Sequence, residues 1–198
     1  MQLFDLLSVM QNVASLGLAG GIAAVNLRAI ALSFIILAAP FFLLKLEGKK
    51  NLKKELLLGK IDFTKTIVQG LKLFAIIFFL LVAQGLILNA LGLLDNGIVV
   101  KIISAQEPLT LLMAITLGPI GEELLFRGYL LKRIGVVLQA VLFALFHYGY
   151  ASIAEIFAAL SVGVLFGLYV RKNKDIYSVI FAHCLYNLFS IAAVLFVA

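Results

Sequence analysis

Charge and cysteine are scarce in this sequence. Asp, Glu, Lys and Arg make up 13% of its 198 residues, against 64% hydrophobic residues, and the mean hydropathy of +1.15 is far above that of a domain whose surface must be wetted. A soluble globular protein is excluded. The one cysteine, Cys184, rules out an internal disulfide, and no spacing resembles a thiolate metal site. The N-terminal stretch MQLFDLLSVMQNVAS lacks the basic n-region of a signal peptide, and neither end carries a lipidation motif. Insertion is therefore expected to rely on the spans themselves. No internal repeat and no low-complexity tract is present.

What fills the chain instead is a series of long apolar stretches. Inside lipid only helices and closed barrels satisfy their backbone, and runs of this length read as helices. The expected fold class is all-α, a polytopic transmembrane bundle of about seven helices, with spans at 3–25, 29–46, 65–94, 108–131, 134–149, 152–170 and 176–198. The first is the least regular, with Asp5, Gln11, Asn12 and the glycines Gly17, Gly20 and Gly21, which suits an interfacial or closely packed helix. The fifth is short enough to require a place deep in the bundle.

The net charge of +6 would suggest nucleic acid in a soluble protein. Here the cations cluster in short loops between apolar segments, a pattern of topology, so no nucleic acid is expected. Lys45, Lys49, Lys50, Lys53, Lys54, Lys60 and Lys65 share one side with Lys132, Arg133, Arg171, Lys172 and Lys174 when the spans alternate. That bias predicts an integral membrane protein with a cytoplasmic N-terminus and an external C-terminus; a prokaryotic plasma membrane is the expected location. Residues 45–65 read as a solvated basic loop, although Leu56–Leu58 could rest on an anionic leaflet. Asp62, Asp175 and the pair Ser152 with Glu155 read as helix caps, and Pro108 as a first-turn residue.

Five charged or titratable residues within spans have no such explanation: Glu122, Glu123, Arg127, His147 and His183, joined by the neutral Asn187. An ionisable group at that depth is a functional-site hypothesis by default. Glu123 and Arg127 are four apart, as are His183 and Asn187, so each pair shares a helix face, whereas Glu122 is turned about 100° from Glu123. At about 1.5 Å per residue, Glu122 lies about 16 Å and His147 about 21 Å above Arg133, with His183 and Asn187 about 14 and 20 Å above Lys174. All fall near the midplane of a ~30 Å core, as one buried site requires.

The residue types then suggest a chemistry. An ion pair between Glu123 and Arg127 leaves Glu122 as the free acid or base. Glu122 could draw a proton from water with His147 sharing or relaying it, and His183 and Asn187 could offer N–H donors to an oxyanion. Together they describe water-mediated acyl hydrolysis. Cys184 is turned about 100° from His183 and reads as a packing residue. Zn²⁺ held by Glu122, His147 and His183 is an alternative, without HExxH spacing to support it. A transporter is another alternative, without an inverted repeat.

The residues Glu122-Glu123-Leu-Leu-Phe-Arg127, Phe143-Ala-Leu-Phe-His147 and His183-Cys-Leu-Tyr-Asn187 read as EExxxR, FxxxH and HxxxN. In this order they resemble the three motifs of the CPBP (Abi) family, which includes type II CAAX prenyl endopeptidases and bacteriocin-processing or immunity-associated proteins. The resemblance covers roughly 108–190. It divides the chain into N-terminal helices with a basic loop, 1–107, and a motif-bearing CPBP core, 108–198, within one bundle. The chain is short for the family, and an eighth span is expected to be missing.

The resemblance implies an intramembrane glutamate endopeptidase with no essential metal or other cofactor. It assigns Glu122 and His147 to water activation, His183 and Asn187 to the oxyanion hole, and Glu123 and Arg127 to supporting roles, with Phe143 packing beside His147. The implied partner is a membrane-embedded or prenylated peptide substrate within the lipid bilayer. The alternative is a non-proteolytic immunity or regulatory protein whose partner is another membrane protein.

Overall fold

The computed structural model describes residues 22–95 and 97–197. The elements in chain order are α1 (Ile22–Leu46), α2 (Leu52–Glu55), α3 (Phe63–Ala90), α4 (Gly97–Ser104), α5 (Pro108–Ile115), α6 (Leu117–Glu123), a π-helical segment (Leu124–Leu130), α7 (Leu131–Phe146), a 3-10 turn (His147–Tyr150), α8 (Ile153–Asn173) and α9 (Tyr177–Val197). No strand occurs among the described residues. Five stretches are long and apolar enough to cross a membrane: Leu27–Leu46, Phe63–Ala90, Pro108–Tyr150, Ile153–Asn173 and Tyr177–Phe196. The fold is a polytopic helical membrane bundle.

The expected span 3–25 lies outside the described residues except for its last four, which form the first turn of α1. The gap expected between 25 and 29 is therefore a correction: helix runs through it without a break. The expected spans 108–131 and 134–149 do form two limbs, and the chain reverses at Gly135 (φ 76, ψ 179). That backbone conformation is open only to glycine. The ring centroids of Phe126 and Phe143 are 5.0 Å apart, whereas seventeen residues of straight helix would separate them by about 25 Å.

The first of these limbs is itself broken. Pro119 has no N–H for the carbonyl of Ile115 and its ring displaces that carbonyl, so α5 stops at Ile115 and Thr116 leaves helical geometry (φ −120, ψ −82). A second irregularity follows in the π-helical segment, which closes with the N–H of Leu131 on the carbonyl of Phe126. Such widened turns recur at functional sites.

Small residues let the limbs approach. A Cβ on Gly121 would lie 2.8 Å from the backbone nitrogen of Leu37, and one on Gly163 would lie 2.9 Å from the Cα of Ala140. These positions bring α6 onto α1 and α8 onto α7 at backbone contact, the packing mode of membrane helices. Gln139, fully buried, donates to the carbonyls of Val136 and Gly163. The amide thereby satisfies one carbonyl beside the Gly135 break and bridges to α8.

The caps on α3 and α9 form as expected, with Asp62 accepting from the N–H of Lys65 and Asp175 from the N–H of Ser178. The basic stretch after α1 corrects the reading of a solvated loop. Leu56 is fully buried in the core, and Leu57 and Leu58 pack against it. The same end of the bundle collects the other basic turns: Lys132 donates to the carbonyl of Glu55, Arg133 pairs with Glu47, and Lys65 lies 3.6 Å from Asp175.

Candidate active site

The two glutamates leave α6 at its C-terminal end, immediately before the widened turn. Glu123 is fully buried, and its Oε1 accepts from Arg127 Nη1 at 2.8 Å and lies 2.9 Å from His183 Nδ1 on α9. The expected ion pair thus forms, and it carries a histidine as a third member. Arg127 is also fully buried, with its guanidinium 4.2 Å from the ring centre of Phe143 and 5.5 Å from that of Phe166. Two aromatic faces and one carboxylate therefore stabilise this cation where water cannot.

Glu122 has different surroundings. Its Oε2 is buried and makes no hydrogen bond to another protein group, and it lies 3.8 Å from His183 Nε2. That is beyond hydrogen-bond range, and the contact is ionic only when the ring carries both protons. His183 therefore sits between the two carboxylates. With Nδ1–H directed to Glu123, Nε2 donates only when the ring carries both protons.

His147 closes the second motif in the 3-10 turn, where its Nδ1 lies 2.8 Å from the carbonyl of Phe143. A carbonyl only accepts, so Nδ1 carries the hydrogen and Nε2 of the neutral ring keeps its lone pair. Tyr150 stacks on the imidazole at 6.0 Å and Phe143 packs at 4.6 Å. Phe143 consequently touches Arg127 and His147 and meets the edge of His183 at 6.1 Å. No hydrogen bond joins Glu122 directly to His147.

Asn187 hydrogen-bonds outside the Glu–Arg–His cluster. Its Nδ2 donates to the carbonyl of Ala114 at 2.8 Å, beside the break that Pro119 imposes. Four of the six singled-out residues, Glu122, Glu123, Arg127 and His183, are in direct contact. His147 joins them through Phe143, and Asn187 attaches its helix to the end of α5.

One acid was concealed by its sequence context. Ser152 Oγ accepts from the N–H of Glu155, as a capping box requires, but the carboxylate of Glu155 makes no return bond. It lies within electrostatic reach of Glu122, His147 and His183. Asp95 does the remaining capping, accepting from Ser152 Oγ, Ile153 N and Ala154 N at 2.7, 2.6 and 3.1 Å. Hydrogen bonds from Ser152, then from Ile153, hold the Asp95 carboxyl below its ordinary range. Among the described residues no group of three or more His, Cys, Asp or Glu side chains is arranged to hold a metal ion.

A membrane bundle with a buried Glu–Arg–His network at the junction of two limbs and a third helix is the class that the fold and site define. Residues 104–189 match the family model for Rce1-like type II CAAX prenyl endopeptidases. The matched segment carries all three motifs, and the family is the one they resemble. No match was found among curated proteins or among solved structures.

Proposed function

We propose that the chain is an intramembrane endopeptidase in which Glu122 and His147 activate a water for attack on a peptide carbonyl. The observation that carries this reading is the asymmetry of the paired glutamates. Each carboxylate keeps one buried oxygen without a hydrogen bond to protein, but Glu123 is held through Oε1 by Arg127 and His183 while Glu122 has no such ion pair with a cationic side chain, and both lie in the segment that matches a protease family model. Glu122 takes a proton from water, the hydroxide adds to the carbonyl carbon, and the C–N bond breaks as that proton passes to the leaving amine. His147 Nε2, unprotonated in the neutral tautomer, is the second acceptor near the water. His183 Nε2, when protonated, and the second hydrogen on Asn187 Nδ2 are the donors for the oxyanion. The proposed substrate is a membrane-embedded or prenylated peptide, as the family name suggests.

The test compares membrane and secreted peptides from cells carrying the wild type or Glu122→Gln. Cleavage products present only with the wild type are expected, and an identical peptide set would overturn the reading. A second reading rests on the engaged donors: His183 Nδ1 is bonded to Glu123 and Asn187 to Ala114, which suits a structural polar core in a non-proteolytic membrane partner. In that case the Glu122→Gln variant keeps the cellular phenotype.

A further inference from the structure

The lysine-rich end of the bundle holds a cleft of about 130 Å³ whose lining includes Lys60, Asp62, Lys65, Lys174, Asp175 and Tyr177. Three lysines from three chain segments line it with two aspartates, which leaves one positive charge in excess, and Lys65 already lies 3.6 Å from Asp175. Asp62 accepts from the N-terminal turn of α3. Asp175 accepts from Ser178 N, Ser178 Oγ and Tyr169 OH, at 3.2, 2.7 and 3.0 Å. Burial alone would raise the Asp175 carboxyl, but the hydrogen bonds from Ser178 and Tyr169 and the charge of Lys65 hold it below its ordinary range. Lys60 and Lys174 have no ion-pair partner among the described residues. A smaller neighbouring cleft shares Leu57 and Lys174 and adds Lys132 and Arg171, so the surplus of positive charge extends beyond the first.

We propose that this cleft binds the phosphate of an anionic membrane-lipid headgroup. Lys60, Lys174 and the neighbouring Arg171, without ion-pair partners among the described residues, repel one another and attract an oxyanion. What favours a lipid over free phosphate is the surface beside the lysines: Ile61, Phe63 and Ile67 are 40%, 72% and 47% exposed where α3 enters its membrane span. These residues do not line the cleft but follow Lys60 in the chain on the outer side of α3, so a lipid whose phosphate rests on Lys60 and Lys174 has apolar surface nearby for an acyl chain, which a soluble anion would leave in water. The inference is independent of whether the chain hydrolyses peptides.

The full chain, purified and reconstituted in phosphatidylcholine nanodiscs, is titrated with phosphatidylglycerol, and retained lipid is read by native mass spectrometry. Retention is expected to fall by about fivefold for each lysine removed in Lys60→Gln and in Lys174→Gln. The Lys49→Gln/Lys50→Gln variant, which removes two charges from the same end but outside the cleft, should retain lipid as the wild type does. Inorganic phosphate should not displace the lipid. Equal loss in the Lys49/Lys50 variant would reduce the effect to bulk charge and overturn the site. Displacement by millimolar phosphate would overturn the lipid as its ligand, and so would equal retention of phosphatidylcholine.

Discussion

Glu122 and Glu123 are neighbours in sequence with opposite surroundings, and their substitutions should separate accordingly. Glu123→Gln removes the charge that compensates a fully buried Arg127, and breaking such a pair from one side costs about 3 kcal/mol or more. A clear drop in thermal stability in detergent is expected. Glu122→Gln disturbs no hydrogen bond to protein and should melt as the wild type does. Glu155→Gln should also fold normally while lowering any hydrolytic rate, because its carboxylate acts on Glu122, His147 and His183 only through the field; an unchanged rate would remove it from the site. The spacing of Glu123 and Arg127 made their pairing readable in the sequence. The third partner was not, because His183 reaches Glu123 only through the mutual rotation of α6 and α9. Glu155 was hidden by a local explanation, a capping motif of which only one arm forms.

At the scale of elements, long apolar runs announced α3, α8 and α9 within a few residues, and the two limbs from α5 to α7, because length and hydropathy suffice for that. Breaks inside helices were harder to read. Pro119 and Gly135 are visible in the sequence, but their effects on the Thr116 turn and on the chain reversal depend on how the limbs pack. The widened turn at Leu124–Leu130 has no sequence signal that we can identify. α4 was not anticipated, being eight residues in a stretch with no span of its own. Close packing at glycine gives a direct test here. Gly163→Leu forces a side chain into the backbone of Ala140 and should destabilise the bundle by about 1–3 kcal/mol or more. The same change at Gly149, where a Cβ meets nothing within 4 Å, should have little effect on the melting temperature.

Across the whole molecule, the basic turns gather at one end, as their spacing in the sequence implied. Glu47 fastens this end: Arg133 Nε donates to it at 2.9 Å, Tyr129 OH at 2.6 Å, and Arg133 lies 3.7 Å over the Tyr129 ring. The hydrogen bonds from Arg133, then from Tyr129, lower the Glu47 carboxyl from 4.5 to about 2. A depressed carboxyl stabilises the fold above its ordinary value, and that contribution is lost as pH falls from 4.5 towards about 2. Glu47→Gln should therefore melt earlier than the wild type at pH 7, and the gap should close under acid; a gap that persists at the lowest pH would refute the assignment.

The central claim concerns water activation at Glu122, and one measurement addresses it most directly. With a peptide substrate identified from the cellular comparison, turnover by purified wild type and Glu122→Gln is measured beside their melting curves. The account predicts unchanged melting and a rate lower by about a hundredfold to ten-thousandfold, the range for losing a general base. A Glu122→Gln protein that melts normally and cleaves at the wild-type rate would contradict it.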